Sequence, residues 1–121
     1  MKVYTSSYWK YRGDRGVQIS NSKPADARVY RSLPTLYPSW EMVSAWNEVK
    51  KLPQDNVVRI RVWSKFEREY WKKLNRIGPD NILPLLCDGD VYLCWCGKKS
   101  ECHRGILATW LEKHGVEVEE L

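Results

Sequence analysis

The stretch DVYLCWCGKKSECHRGILATWLEKHG, residues 90–115, decides how the chain is read. Its first six residues form a short, almost unbroken apolar run, the pattern of a strand buried on both faces. Its second half places His103, Ile106, Leu107, Trp110 and His114 on one helical face, and Gly115 supplies a stop. Ser100 is a candidate N-cap, so the spacing predicts a helix over about 101–114. Between strand and helix lies a loop in which residues 94–105 hold three cysteines, a histidine, an arginine and two lysines. In open α/β sheets ligands gather outside the carboxyl ends of the strands. A helix start adds unpaired N–H groups and a partial positive charge. With Lys98, Lys99 and Arg104 nearby, the loop suits a phosphate or a carboxylate.

Outward from this stretch, strands and helices alternate. KVYTSS (residues 2–7) and GVQIS (16–20) read as strands, separated by the turn YRGDRG. Residues 25–38 contain two prolines and little periodicity, and read as loop. A helix is expected over 39–52, capped by Ser39 and ended before Pro53. In NVVRIRVW (56–63), Val58, Ile60 and Val62 alternate with arginines, which favours a strand. Ser64 and Glu67 then form a capping box for a helix over 65–77, closed by Gly78 and Pro79. DNILPLLCDG (80–89) reads as a short helix with a buried strand as the rival. VEVEEL (116–121) reads as a last strand or a frayed tail. The expectation is one compact α/β domain over 1–121, with a small, partly parallel sheet flanked by helices.

Composition narrows the function. Hydrophobic residues at 43% and charged residues at 29% are those of an ordinary globular domain. Twenty lysines and arginines against fifteen acids give +5, which favours an anionic partner without naming one. No apolar run approaches the roughly 20 residues needed to span a bilayer. The start lacks the apolar middle of a signal peptide, so a reducing cytoplasm is expected, where a disulfide framework is not.

The loop supports several chemistries. Cys102, as an early helical residue beside cations, would have a lowered pKa and could act as a nucleophile. On spacing alone, small packing residues are the favoured reading of Cys94, Cys96 and Cys102. His103 lies on the apolar face and reads either as a core histidine or as a proton donor and acceptor. Zinc is disfavoured, because a helical Cys102 and its neighbour His103 would point about 100° apart. A phosphatase-type loop is excluded by spacing: six residues beyond Cys96 stands Cys102, and beyond Cys94 stands Ser100, not arginine. No cofactor is called for.

VYLCWCGKKSECHRGILATWLEKHG resembles the carboxyl-terminal signature of the DUF488 family: a buried strand ending in cysteine, a short loop, then Cys-His-Arg opening a helix. VYTSSYWKY resembles that family's opening strand and VQISNSKP its serine-rich second strand. LPTLYPSWEMVSAW, with the spacing of Phe66 and Tyr70, resembles its middle. Many relatives carry glutamate where this chain has Cys96, so no role of that glutamate transfers. The resemblance implies an α/β fold of bacterial or phage type and no settled activity. It also implies that one pocket gathers Thr5, Ser6, Ser20, Ser22, Lys23, Cys94, Cys102, His103 and Arg104. Such a mixture suits a small anion or a nucleotide-like ligand, with Tyr8, Trp9 or Trp95 stacking on a base.

The functional expectation is therefore a phosphorylated or nucleotide-like ligand at the Cys-His-Arg loop. Cys102 would be the nucleophile, His103 the acid/base, and Arg104, Lys98 and Lys99 the anion holders. Cys94 would be a wall or redox partner. The alternative is a non-enzymatic module binding nucleic acid or a host protein. Lys65, Arg68, Lys72 and Arg76 fall within about 80° on one helix, with Trp71 beside them.

Overall fold

Val91–Cys94 forms strand β4, buried at all four positions because strands lie along both its edges and side chains cover both faces. The computed structural model describes residues 1–121. Strands β1 (Lys2–Ser7), β2 (Gly16–Gln18), β3 (Arg31–Ser32) and β5 (Glu117–Glu120) complete one sheet in the order β3-β2-β4-β1-β5. Every neighbouring pair is parallel, where the sequence suggested only a partly parallel sheet. The fold is α/β, with helices α1 (Trp40–Val49), α2 (Val57–Ile77), α3 (Pro79–Ile82) and α4 (His103–Lys113).

All four helices contribute to one cluster over a single face of the sheet. There Phe66, Tyr70 and Leu74 of α2 and Leu107, Trp110 and Leu111 of α4 meet Val3, Val17 and Tyr92. The opposite face carries a small cluster of Tyr8, Val91 and Leu93, closed by the loop residues Tyr11, Ala27 and Val29. No helix is long and apolar enough to cross a membrane.

Three expectations change. Residues 57–63 are helical, not a strand: Asn56 caps α2 by accepting from the Arg59 N–H at 3.1 Å, and Ser64 lies inside the helix. Arg59, Phe66, Tyr70 and Leu74 are the buried positions of that helix, a spacing of one helical face that the arginines disguise. Part of the expected 25–38 loop forms β3 and a short 3-10 turn, Pro34–Leu36. Finally, α4 begins at His103: Lys99–Glu101 forms a 3-10 turn, and Cys102 rather than Ser100 occupies the N-cap position, with no side-chain capping bond. The glycine stops hold. Gly78 and Gly115 adopt φ of +86° and +87° after α2 and α4, a region that side chains with a Cβ rarely occupy.

At the amino end of β4, Asp90 is fully buried. It accepts from Arg31, from the Tyr30 hydroxyl, from Tyr92 Oη at 3.0 Å and from the Cys87 N–H at 3.0 Å. Arg15 approaches to 3.4 Å. This network ties β4 to β3 and to the turn before β2, at the end of the sheet opposite the cysteine loop.

Candidate functional site

The carboxyl ends of the parallel strands β2 and β4 open beneath α1 and α2, as strand polarity requires. A cavity of ≈ 330 Å³ lies there. Trp40, Trp46 and Lys50 reach it from α1, Trp63 and Phe66 from α2, Ser20, Asn21 and Ser22 from the chain after β2, and Cys94, Trp95, Cys96, Glu101, Cys102 and His103 from the loop and helix after β4. Trp46, Trp63 and Phe66 form a tilted and stacked row, with centroids 4.9 and 5.1 Å apart. Trp95 is held by its indole N–H, which donates to Ser22 O at 2.9 Å, and it meets Tyr8 and Trp9 edge-on.

The loop is pinned from two sides. Arg104 is 1% exposed, yet all five of its N–H donors have acceptors. Nε and Nη2 serve the Glu120 carboxylate of β5 at 3.0–3.2 Å, and Nη1 donates to Cys94 Sγ at 3.0 Å and to the Cys96 carbonyl. Nη2 also reaches the Gly97 carbonyl at 3.5 Å. On the other side Arg59 pairs with Glu101, donates to Lys50 O at 3.2 Å and lies over the Trp46 ring.

Cys102 has an extended backbone, with φ −145° and ψ 146°. Its sulfur therefore turns toward the imidazole of the next residue, at 3.8 Å from His103 Nδ1. His103 Nε2 lies 2.7 Å from Ile19 O. A carbonyl only accepts, so Nε2 carries the proton and the lone pair of Nδ1 faces the Cys102 sulfur. Tyr70 packs edge-on against the ring. Cys94 and Cys102 are joined as a disulfide, where the sequence suggested none, Cys96 is free, and the three sulfurs all lie within 4.8 Å of one another. Burial pushes the Cys96 thiol up, opposed by Arg104 and Lys50.

Burial also drives His103 down from 6.5 to about 4, with the Ile19 bond opposing and Arg104 and Lys73 adding to the effect. Between these values the unfolded chain binds a proton that the folded chain refuses, so stability falls as pH is lowered from about 6.5 to about 4. The loss attributable to this ring is about 3 kcal/mol. Urea denaturation of metal-free protein between pH 7 and 4.5 measures it, and His103→Gln should remove that part of the slope. Equal slopes in both proteins would refute the assignment.

Of the residues singled out in the sequence, Ser20, Ser22, Cys94, Cys102 and His103 line the cavity together. Thr5 instead donates to Glu120 at 2.6 Å, Lys23 reaches the carbonyls of Pro24 and Ala27, and Ser6 Oγ is buried without a partner. Arg104 is a positioning residue with no donor left for a ligand. Lys98 is exposed, while Lys99 borders a second opening. The sequence missed Trp40, Trp46, Trp63 and Lys50, which reach the cavity only because α1 and a longer α2 pass over the sheet.

That second opening is a groove of ≈ 720 Å³ between α2 and α4, which shares Trp63 and Cys102 with the cavity. Arg68, Lys72, Lys99 and Trp71 line it, and Glu67 is its one acid. Lys65 lies outside it, and Arg76 is exposed beyond it.

A family model described as DUF488-N3a, the active DUF488-N3 subclade, matches residues 8–115. No curated protein and no solved structure matches the chain.

Proposed function

We propose, on the premise that the chain belongs to the DUF488 family, that it binds a phosphorylated, nucleotide-like small molecule in the aromatic cavity and acts on it through Cys102. One observation carries the reading: a cavity whose walls are tryptophans has the buried sulfur of Cys102 beside the His103 imidazole at its base, and reduction of the Cys94–Cys102 bond makes it a thiol–imidazole pair. A flat base suits the faces of Trp40 and Trp95, and stacking of this kind is tolerant of base identity. Ser20, Ser22 and Asn47 offer polar groups to a sugar, while Lys50 and the first turn of α4 offer positive charge to a phosphate. With the Cys94–Cys102 bond reduced by a cellular thiol, the Cys102 thiol passes its proton to His103 Nδ1 and the sulfur attacks an electrophilic centre of the ligand; the new bond to sulfur forms as the bond to the leaving group breaks, and that group departs with the electron pair and takes the proton from His103. Ile19 O holds the ring in the tautomer this requires. The description of the matching family model as an active subclade agrees with chemistry at this loop.

Adenosine monophosphate serves as the probe, with binding followed by calorimetry. Trp95→Ala should weaken it by about 1–3 kcal/mol, at least fivefold. Cys102→Ser should leave that affinity unchanged while abolishing modification at position 102, located by peptide mapping, by a thiol-directed analogue in the reduced protein. Undiminished binding to the Trp95→Ala protein would sink the cavity as the site.

The groove supports a second reading, a single-stranded nucleic acid laid along α2. Its cations make no ion pair, and two tryptophans stand among them. Anisotropy titrations of a labelled oligonucleotide at several salt concentrations would test it. Lys72→Ala should reduce the salt slope by about one, and an unchanged slope removes the groove as the strand's path.

A further inference from the structure

We propose that Cys94, Cys96 and Cys102 form a binding site for a thiophilic d10 cation, for which Zn²⁺ is the probe. This goes beyond any ligand in the aromatic cavity and does not depend on it. The three sulfurs lie within 4.8 Å of one another. With Zn–S bonds of about 2.3 Å, tetrahedral geometry sets sulfurs about 3.8 Å apart, so the trio needs only small side-chain movements. The Cα atoms of Cys94 and Cys102 are 7.7 Å apart. Disulfides usually span about 4.4–6.8 Å, so once the Cys94–Cys102 bond is reduced the two thiols can part and converge on a shared centre.

The surroundings fit the same chemistry. A ligating histidine usually donates its other ring N–H to a carbonyl or carboxylate. His103 does this with Ile19 O, and its free Nδ1 stands 3.8 Å from Cys102 Sγ, available as a fourth donor. The helical geometry that would turn Cys102 and His103 apart does not apply, because Cys102 is extended. Arg104 already donates to Cys94 Sγ, an outer bond that favours a thiolate. Each thiol releases its proton to solvent as the cation enters, and three thiolates with Zn²⁺ carry one net negative charge beside that guanidinium.

The test uses the full chain, reduced and freed of metal, titrated with Zn²⁺ against a chromophoric chelator. One equivalent should bind, and Co²⁺ should give the thiolate charge-transfer and intense visible bands of a tetrahedral sulfur site. Cys96→Ser, checked for folding by circular dichroism, should weaken Zn²⁺ by more than about tenfold, a loss that even outer-shell changes can cause. Cys87→Ser alters an exposed thiol outside the trio and should change nothing. Less than one equivalent bound, equal affinity in the Cys96→Ser protein, or Co²⁺ bands lacking sulfur character would each overturn the proposal.

Discussion

Arg104→Ala is expected to destabilise the protein by about 3–5 kcal/mol, the range for breaking a buried ion pair by removing one partner. The reason lies in what the substitution strands. Glu120, 25% exposed, loses its guanidinium, and the carbonyls of Cys96 and Gly97 and the buried sulfur of Cys94 lose their donors. Truncation also leaves a void under the loop, because Arg104 is among the largest fully buried side chains. Arg104→Lys keeps the charge but cannot reach β5, Cys94 and the loop together, so it should recover only part of the loss. Adding Glu120→Gln to Arg104→Ala should restore some stability by removing the orphaned carboxylate. Urea denaturation of the four proteins reads these differences. A loss below about 1 kcal/mol, typical of exposed pairs, would mean that the arginine clamp contributes no more than a surface contact.

The second large effect belongs to the opposite end of β4. Asp90→Asn should cost about 3 kcal/mol, the lower end of the same range, because Arg15 and Arg31 are partly exposed and recover some hydration. Asparagine also turns an amide donor toward groups that are themselves donors: Arg31, Tyr30, Tyr92 and the Cys87 N–H. The strand is four residues long, and Asp90 precedes it while the cysteine loop follows it. Adenosine monophosphate affinity should therefore survive in the folded fraction. A variant as stable as the parent would show that the carboxylate is not holding these donors. A stable variant that lost nucleotide would instead place Asp90 in the binding machinery.

The strand-loop-helix core of the fold was legible because each signal stood alone: a short apolar run, a cysteine-rich turn, and a helical stripe closed by glycine. The stretch 56–63 was not, because apolar residues alternate with arginine there, and alternation is also the mark of a half-buried strand. In the folded chain Val57, Val58 and Ile60 are exposed and Arg59 is buried against Glu101, the reverse of what hydropathy suggests. That misreading hid Trp63, and with it one wall of the cavity. The role of Arg104 was illegible for a different reason. A cation in a reactive loop reads as an anion holder until β5 is known to bring Glu120 beside it, sixteen residues away. Cys102 likewise pairs with His103 only because the helix starts two residues later than the Ser100 cap signal suggests.

Parallel pairing through β1 has a further consequence. Its partners begin 87 residues away on one side, from Tyr4 to Val91, and 115 residues away on the other, from Lys2 to Glu117. During synthesis β1 finds no neighbour until β4, more than 80 residues later, has emerged. Assembly of the sheet thus waits on segments made long after its central strand's partner. Until then β1, which carries Val3 and Thr5, stays exposed to chaperones and proteases.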